Sequence, residues 1–148
     1  MVTNFSYNLN HNITDQDYSA TAIKPTASYF SGDGRNTQNR NFLLLQSDLT
    51  YLFANKFKIE TGFKSTFQHY NSDAKYYLQL NNNRITDPIR TNAFNYKESI
   101  NALYFQASKT FWTSFILKVG ARMEHTYMKG NQTIPKDTSF LINRVDFF

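Results

Sequence analysis

The stretch that decides the fold of this chain is Phe115-Ile-Leu-Lys-Val-Gly-Ala-Arg-Met-Glu-His-Thr-Tyr127. Its odd-numbered positions are mainly apolar, whereas Lys118, Arg122 and Glu124 occupy even-numbered positions. Successive side chains of a β-strand point to opposite faces, so this period of two predicts a strand with one apolar and one polar face. A helix would scatter the three charged residues among the apolar positions.

A second stretch, residues 57–70, repeats this alternation, with Phe57 and Ile59 on one side and Lys58 and Glu60 on the other. Both stretches exceed the roughly 5–6 residues of an ordinary strand and reach the 9–11 or so that a membrane-crossing β-strand needs. Each follows another extended run and a short turn, at 53–56 or 111–114. The repeating unit is therefore predicted to be a β-hairpin.

Long polar stretches separate these hairpins, at residues 11–39, 71–92 and 131–138, and they contain all three prolines. We predict them to be loops, since proline is tolerated there. Strands are predicted at 2–10, 40–52, 57–70, 94–110, 115–130 and 139–148, with an extension of the third to 79 left open. Short turns at one end and long loops at the other are typical of outer-membrane barrels. The predicted fold class is all-β, an antiparallel meander of long hairpins with about six strands, of the kind that forms a transmembrane β-barrel.

Aromatic residues are abundant, with 10 Tyr, 14 Phe and 1 Trp. They concentrate near the short turns and again about twelve positions further along the strands, a rise of roughly 30 Å for tilted strands. Aromatic side chains at that spacing are typical of two belts at the membrane–water interfaces. The candidates for these belts are Tyr51, Phe53, Phe57, Phe111, Trp112, Phe115, Tyr70 and Tyr127.

Charged residues on the polar face of these strands form the main group of candidate functional residues. We predict that they face the barrel lumen, where they line a substrate path or form cross-strand ion pairs that pin the register. The candidates are Lys58, Glu60, Lys64, Glu98, Lys118, Arg122 and Glu124. The register of 94–110 stays open, with either Leu103, Phe105 and Ala107 or Ile100, Ala102 and Tyr104 facing lipid.

Composition excludes several classes of function. The chain has no cysteine, so disulfides, a thiol nucleophile and Cys-ligated zinc are excluded. Its three histidines lack ligand spacing, and the sequence contains no Ser/His/Asp arrangement, P-loop or dinucleotide-binding glycine pattern. The net charge of +5 is spread along the chain rather than gathered in a basic run that would indicate nucleic-acid binding. We therefore expect no catalytic residue, no metal, no cofactor and no nucleic-acid partner.

Three motifs stand out in the second half of the chain. They are Asn95-Tyr-Lys-Glu-Ser-Ile-Asn-Ala-Leu-Tyr104, Lys109-Thr-Phe111 and Val119-Gly-Ala-Arg-Met-Glu-His-Thr126. They resemble the β-barrel of Bacteroidota outer-membrane receptors of the TonB-dependent type, in which a Tyr-x-Glu-x-Ile-x-Ala-x-Tyr strand precedes a Gly-x-Arg-x-Glu-x-Thr strand. The resemblance is good over residues 40–148.

The resemblance implies a barrel of about 22 strands in the bacterial outer membrane, with an N-terminal plug inside. About six strands cannot close such a barrel, and open sheet edges are not viable in lipid. We therefore interpret residues 1–148 as a segment of a large transmembrane β-barrel, an internal part of the barrel domain without its plug. The resemblance also implies that the charged candidates named above could contact that plug. The expected partners are outer-membrane lipid, the rest of the parent barrel with its plug domain, and the TonB system.

The functional hypothesis is uptake of a siderophore, a glycan or a similar nutrient, to which this chain contributes barrel wall and surface loops without catalysis. The alternative is a soluble or surface-attached β-sandwich that binds carbohydrate. The apolar face distinguishes the two. In the barrel it meets lipid, whereas in a sandwich it packs against a second sheet that the chain must itself supply.

Overall fold

The computed structural model describes residues 1–22, 28–80, 83–112 and 115–148. They form one antiparallel sheet of seven strands in the order β1-β2-β3-β5-β6-β7, with β4 paired to the end of β3. The strands are β1 (Val2–Ala22), β2 (Ser28–Leu52), β3 (Phe57–Leu80), β4 (Asn83–Thr86), β5 (Asn92–Phe111), β6 (Phe115–Ile134) and β7 (Thr138–Phe147). The predicted all-β meander of long hairpins is confirmed.

The strands are longer than predicted, because stretches expected to be loops are themselves paired. β1 and β2 have 21 and 25 residues, and their ladder continues through His11↔Asn39 as far as Ala22↔Ser28. The loop predicted at 11–39 is therefore wrong for its described residues, and residues 23–27 lie outside the described ranges. The extension of the third strand to 79, which the sequence left open, is confirmed, and residues 87–91 of the loop predicted at 71–92 form a turn. The loop predicted at 131–138 shrinks to residues 135–137. Hydrophobic alternation marks a strand only where one face is buried or meets lipid, and these segments are polar on both faces.

One rule of register holds across the sheet. Directly opposite residues are both odd-numbered or both even-numbered in every pairing among β1, β2, β3, β5, β6 and β7, up to a register shift at Ala93/Phe94. Odd-numbered residues therefore share one face of the sheet, and even-numbered residues share the other. One complete row consists of Phe5, Leu45, Ser65, Asn101, His125 and Val145.

This rule resolves the register that the sequence left open. Leu103 lies opposite Phe63, and Phe105 lies opposite Ala121, so the odd-numbered residues of β5 join the apolar face. The alternative with Ile100, Ala102 and Tyr104 on that face is wrong.

The sheet is a single layer. Among the described residues, Ala74 is the only buried hydrophobic residue, and all strands belong to one sheet. The β-sandwich alternative therefore fails, since a sandwich buries its apolar faces between two sheets. In the described part of the chain, β1 and β7 each pair on one side only. No helix within these ranges is long and apolar enough to cross a membrane.

Candidate functional site

The odd-numbered face carries an apolar band near the short turns, at what we call the turn end of the sheet; the opposite end is the loop end. One row, with Ser65, Asn101 and His125, places polar side chains within this band. On β3 the band runs from Phe57 to Phe67, about 25 Å along the membrane normal for a strand tilted by about 40°. Phe105 is 50% exposed and Val119 is 65% exposed. The band comprises Phe5, Tyr7, Leu9, Leu43, Leu45, Leu49, Phe57, Ile59, Phe63, Phe67, Leu103, Phe105, Leu117, Val119, Met123 and Val145.

The charged candidates from the sequence all lie on the even-numbered face, opposite the apolar band, which we call the polar face. Lys58, Glu60 and Lys118 line one cavity near the turn end. Glu98 lies further toward the loop end, where its carboxylate accepts a 2.6 Å hydrogen bond from the Tyr96 hydroxyl. The structure therefore brings part of the predicted row together and separates Glu98 from it.

The ion pairs of this row run along strands. Lys58 Nζ lies 2.7 Å from Glu60 Oε1, and Arg122 Nη2 lies 2.6 Å from Glu124 Oε2. Both pairs join residues two positions apart on one strand, so they do not pin the register in the way that cross-strand ion pairs would. The cross-strand link at Glu60 comes instead from Gln106, whose Nε2 donates a 2.6 Å hydrogen bond to Glu60 Oε2.

Aromatic side chains cluster at both short turns. The ring centroids of Tyr51 and Phe53 are 4.6 Å apart, and those of Phe53 and Phe57 are 5.5 Å apart. At the second turn, Phe111 and Phe115 are 6.1 Å apart. These rings lie where the apolar band ends, at the level expected for an interfacial belt.

The remaining belt candidates lie in different places. Trp112, in the second turn, is 83% exposed. Tyr127 lies on the odd-numbered face, opposite Ser99, toward the loop-end limit of the apolar band. Tyr70 lies opposite Arg40 and Tyr96 on the polar face. Its assignment to a lipid-facing belt is therefore wrong, because an even-numbered residue of β3 points away from the band.

All five glycines of the chain lie on the polar face, a feature that the sequence analysis missed. Most of them lie directly opposite an aromatic residue whose ring covers the space that a Cβ would take. The covered pairs are Gly32–Tyr18, Gly34–Tyr76, Gly62–Tyr104 and Gly130–Phe140. Glycines in strands mark bends and close approaches, so crowding is concentrated on this face.

The turn formed by residues 87–91 folds onto the loop end of the polar face, a cluster that the sequence reasoning also missed. Asp87 Oδ1 accepts hydrogen bonds from the backbone N–H groups of Ile89 and Arg90, at 2.9 and 3.3 Å. The Tyr18 hydroxyl donates to the Tyr77 carbonyl oxygen at 3.1 Å and to Asp87 Oδ2 at 3.4 Å. The Arg90 guanidinium lies 4.0 Å from the centre of the Tyr18 ring, and burial raises the pKa of the Tyr18 hydroxyl. The turn thus ties β1 to β3.

Cross-strand ion pairs occur on the odd-numbered face beyond the apolar band. Arg35 donates to both carboxylate oxygens of Asp15, at 2.6 and 3.0 Å, and Arg84 does the same to Asp33, at 3.1 and 2.6 Å. The Arg84 guanidinium also lies 3.6 Å from the centre of the Tyr77 ring. The hydrogen bonds from Arg35 and Arg84 lower the pKa of Asp15 and of Asp33 respectively. All of these residues lie in the stretches 11–39 and 71–92, which were predicted to be loops.

The histidines are paired with amides rather than with one another. Their partners across the strands are His11–Asn39, His69–Asn95 and His125–Asn143. Within the described ranges, no group of three or more His, Asp or Glu side chains could hold a metal ion.

Comparison with known proteins adds one finding to this geometry. The model of a family described as the outer membrane protein beta-barrel family matches residues 1–148. No curated protein matches the chain. The matched range includes the loop-end hairpins as well as the apolar band.

Proposed function

The chain belongs to the outer membrane protein beta-barrel family, and we propose that it supplies wall and surface hairpins to a TonB-dependent-receptor-like barrel that takes up a scarce nutrient. Family membership implies an outer-membrane location and embedding in lipid, and the family is typically non-enzymatic. Beyond what family membership implies, we propose that the parent barrel transports a nutrient such as a siderophore or glycan. It would contain a plug and draw its energy from the TonB system.

The observation that carries this proposal is the separation of the two faces. The apolar band has about the height of the apolar belt of an outer-membrane barrel, roughly 25 Å. The opposite face carries ion pairs and all five glycines. This combination suits a wall with lipid on one side and a polar lumen on the other, because inward and outward residues of such strands alternate.

The two edges of the sheet support a larger barrel. A backbone group left unpaired in lipid costs several kcal/mol, and β1 offers a free edge of 21 residues. We propose that further strands of the parent barrel pair with β1 and β7. A barrel of about 22 strands has room for a plug inside it. The charged side chains of Lys58, Glu60 and Lys118 would then face this plug.

The loop-end hairpins support a role in capture. From Phe67 at the end of the apolar band, β3 continues to Leu80, a projection of about 30 Å for a tilted strand. Long surface segments positioned by a rigid scaffold are where binding residues concentrate.

Orientation is tested by labelling single cysteines on intact cells. This chain has no cysteine, so Ile89→Cys at the loop end, where the native side chain is 91% exposed, and Trp112→Cys at the turn end, at 83%, form a matched pair. We expect a membrane-impermeant maleimide to label the first on intact cells and the second only after the outer membrane is permeabilised. Labelling of both on intact cells would contradict a spanning wall.

Uptake is tested by deleting the gene and supplying candidate nutrients at limiting concentration. We expect the deletion to abolish accumulation of one radiolabelled nutrient, and a protonophore to do the same in the parent strain. Accumulation that survives the protonophore would contradict coupling to TonB, because TonB draws on the proton-motive force.

A further inference from the structure

The polar face is divided into a charged part and a part with few charges, which we call the neutral part. Its ion pairs lie toward the turn end, on β3, β6 and β7, and a further pair, Asp87 with Arg90, lies in the turn at the loop end. From Gln68 to the loop end, the even-numbered residues of β3 carry no charge, and those of β1 carry none along the whole strand. The described even-numbered residues of β2 from Gly32 to Phe42 include one charged residue, Arg40.

A cavity of about 520 Å³ lies in this neutral part, between β1, β2 and β3. Its volume falls within the roughly 300–1,000 Å³ typical of small-molecule sites. The residues that carry its chemistry are Asn8, Asn10, Gln38, Arg40, Phe42 and Tyr70. Primary amides offer both donors and acceptors, as ligand hydroxyl groups do.

Aromatic rings extend this surface across the sheet. Tyr70 on β3 lies directly opposite Tyr96 on β5. The Tyr96 ring is stacked with that of Phe94 at 6.4 Å, and it lies 6.4 Å from that of Phe140 on β7. Gly130 makes this last approach possible, because the Phe140 ring fills the space where its side chain would be. The rings therefore continue from the cavity to β7.

Arg40, the one cationic residue among the described residues that line the cavity, already forms a hydrogen bond within the protein. Arg40 Nη2 donates a 2.9 Å hydrogen bond to Gln68 Oε1 on the neighbouring strand. An anionic ligand would need a cluster of cations to replace its hydration, as in carboxylate and phosphate sites. The Glu98 carboxylate beside these rings accepts a hydrogen bond from the Tyr96 hydroxyl and would repel an anion. The chemistry of the surface therefore suits a ligand with many hydroxyl groups and no charge.

We propose that the cavity and the adjoining rings form a binding site for a neutral oligosaccharide. The apolar C–H faces of the sugar rings stack on Tyr70 and Tyr96, while Asn8, Asn10 and Gln38 form hydrogen bonds with the hydroxyl groups. This inference rests on the proposed function, since it names the substrate class of the same barrel.

The test is calorimetric titration of the detergent-purified outer-membrane protein that contains this chain. The probes are maltohexaose and cellohexaose as neutral ligands and hexagalacturonate as the anionic one. We expect one of the neutral probes to bind, with a dissociation constant that does not change with salt, because no charge pair is formed. Hexagalacturonate should not bind. Tighter binding of hexagalacturonate, or no binding of either neutral probe, would overturn the inference.

Single substitutions in and near the cavity test where the saccharide binds, with the same calorimetric titration. Tyr70→Ala should weaken binding roughly tenfold through loss of stacking, and Gln38→Leu should weaken it about fivefold through loss of hydrogen bonds. Tyr70→Phe keeps the ring and should bind as the native protein does. Phe67→Ala removes a ring from the same strand but from the apolar band, so it is the matched control. Equal binding by Tyr70→Ala and the native protein would place the site elsewhere and overturn the inference.

Failure of this inference and failure of the proposed function give different results. If no neutral saccharide binds but deletion of the gene still abolishes energised uptake of another nutrient, the saccharide site is wrong and the uptake function stands. If saccharide binds as expected but its accumulation survives a protonophore, the site stands and the TonB coupling is wrong.

Discussion

Tyr104 on β5 lies directly opposite Gly62 on β3, and its hydroxyl donates a 2.8 Å hydrogen bond to Asp48 on β2. One side chain thus crosses three neighbouring strands of the polar face. The crossing depends on Gly62, because a Cβ there would come within 2.7 Å of both the Tyr104 ring and the Ser47 carbonyl oxygen. The glycine and the tyrosine therefore act as one unit that holds the register of β3 against both neighbours.

Replacing Gly62 with alanine should lower the free energy of unfolding by about 1–3 kcal/mol, the usual cost of overpacking. The measurement is urea unfolding of the protein in lipid vesicles. Gly120→Ala is the matched control, since its Cβ would meet the Phe105 carbonyl oxygen at 3.0 Å and the Gln106 side chain at 3.2 Å, and we expect a smaller loss. Equal losses for the two variants would contradict the role assigned to Tyr104.

Neighbouring residues of β5 test which face meets lipid. Phe105→Lys places a charge near the middle of the apolar band and should destabilise the folded protein by about 2–4 kcal/mol. Gln106→Lys places the same side chain on the polar face, where it can donate to Glu60 in place of the native amide. We expect this variant to fold almost as well as the native protein.

The measurement for this pair is the folded fraction in lipid vesicles as a function of urea concentration. If Gln106→Lys were the more damaging of the two, the register of β5 described above would be inverted. If both variants were harmless, the odd-numbered face would not meet lipid.

Lys56 in the first turn tests backbone strain, because its φ of 61° lies in the left-handed region. Glycine adopts this conformation without steric cost, so Lys56→Gly should raise the free energy of unfolding by about 0.5–1 kcal/mol. Lys56→Ala removes the same charge and keeps the strain, so it should give no such gain. The same urea titration measures both variants, and equal stabilities would show that the charge, rather than the backbone, determines the effect.

The ion pair between Arg84 and Asp33 predicts a pH dependence at the loop end. The hydrogen bond from Arg84 lowers the pKa of Asp33 below its ordinary value of 3.8, so the ionised pair persists at neutral pH. Because the folded-state pKa is the lower one, the stabilisation is present above 3.8 and is lost as the pH falls through the lowered value. The contact between β4 and β2, which this ion pair makes, should therefore loosen only in strong acid.

The measurement is a titration of the ¹³C-labelled Asp33 carboxyl group by NMR in detergent micelles. Arg84→Gln should return the pKa of Asp33 toward 3.8, since the donor that lowers it is gone. Asp15, whose pKa is lowered by Arg35, is the internal control and should keep its lowered pKa in the same variant. An unchanged pKa of Asp33 in Arg84→Gln would show that another group holds the carboxylate ionised.

Much of this architecture is visible in the sequence wherever the two faces differ in polarity. The alternation in residues 57–67 and 115–127 predicted the strands, the division of their residues between two faces and the short turn at 53–56. Residues 113 and 114 of the other predicted turn lie outside the described residues. The odd or even number of a residue was enough to assign its face in those two stretches, because successive residues of a strand point to opposite faces. Each apolar residue therefore also assigns the faces of its neighbours. The same reasoning misplaced Tyr70, because its aromatic character was given more weight than its even-numbered position.

The sequence by itself determined the β-strand conformation, the first short turn and the apolar band, because strands that contact lipid alternate apolar and polar residues along the chain. Only the tertiary structure decided how far the hairpins extend, which register β5 adopts and which groups pair at the loop end. Those features depend on partners far apart in sequence, such as Asp33 with Arg84 and Tyr18 with Asp87. Beyond the membrane both faces of a strand are polar, so its pairing is stabilised by such cross-strand contacts and leaves no periodic signal in the sequence.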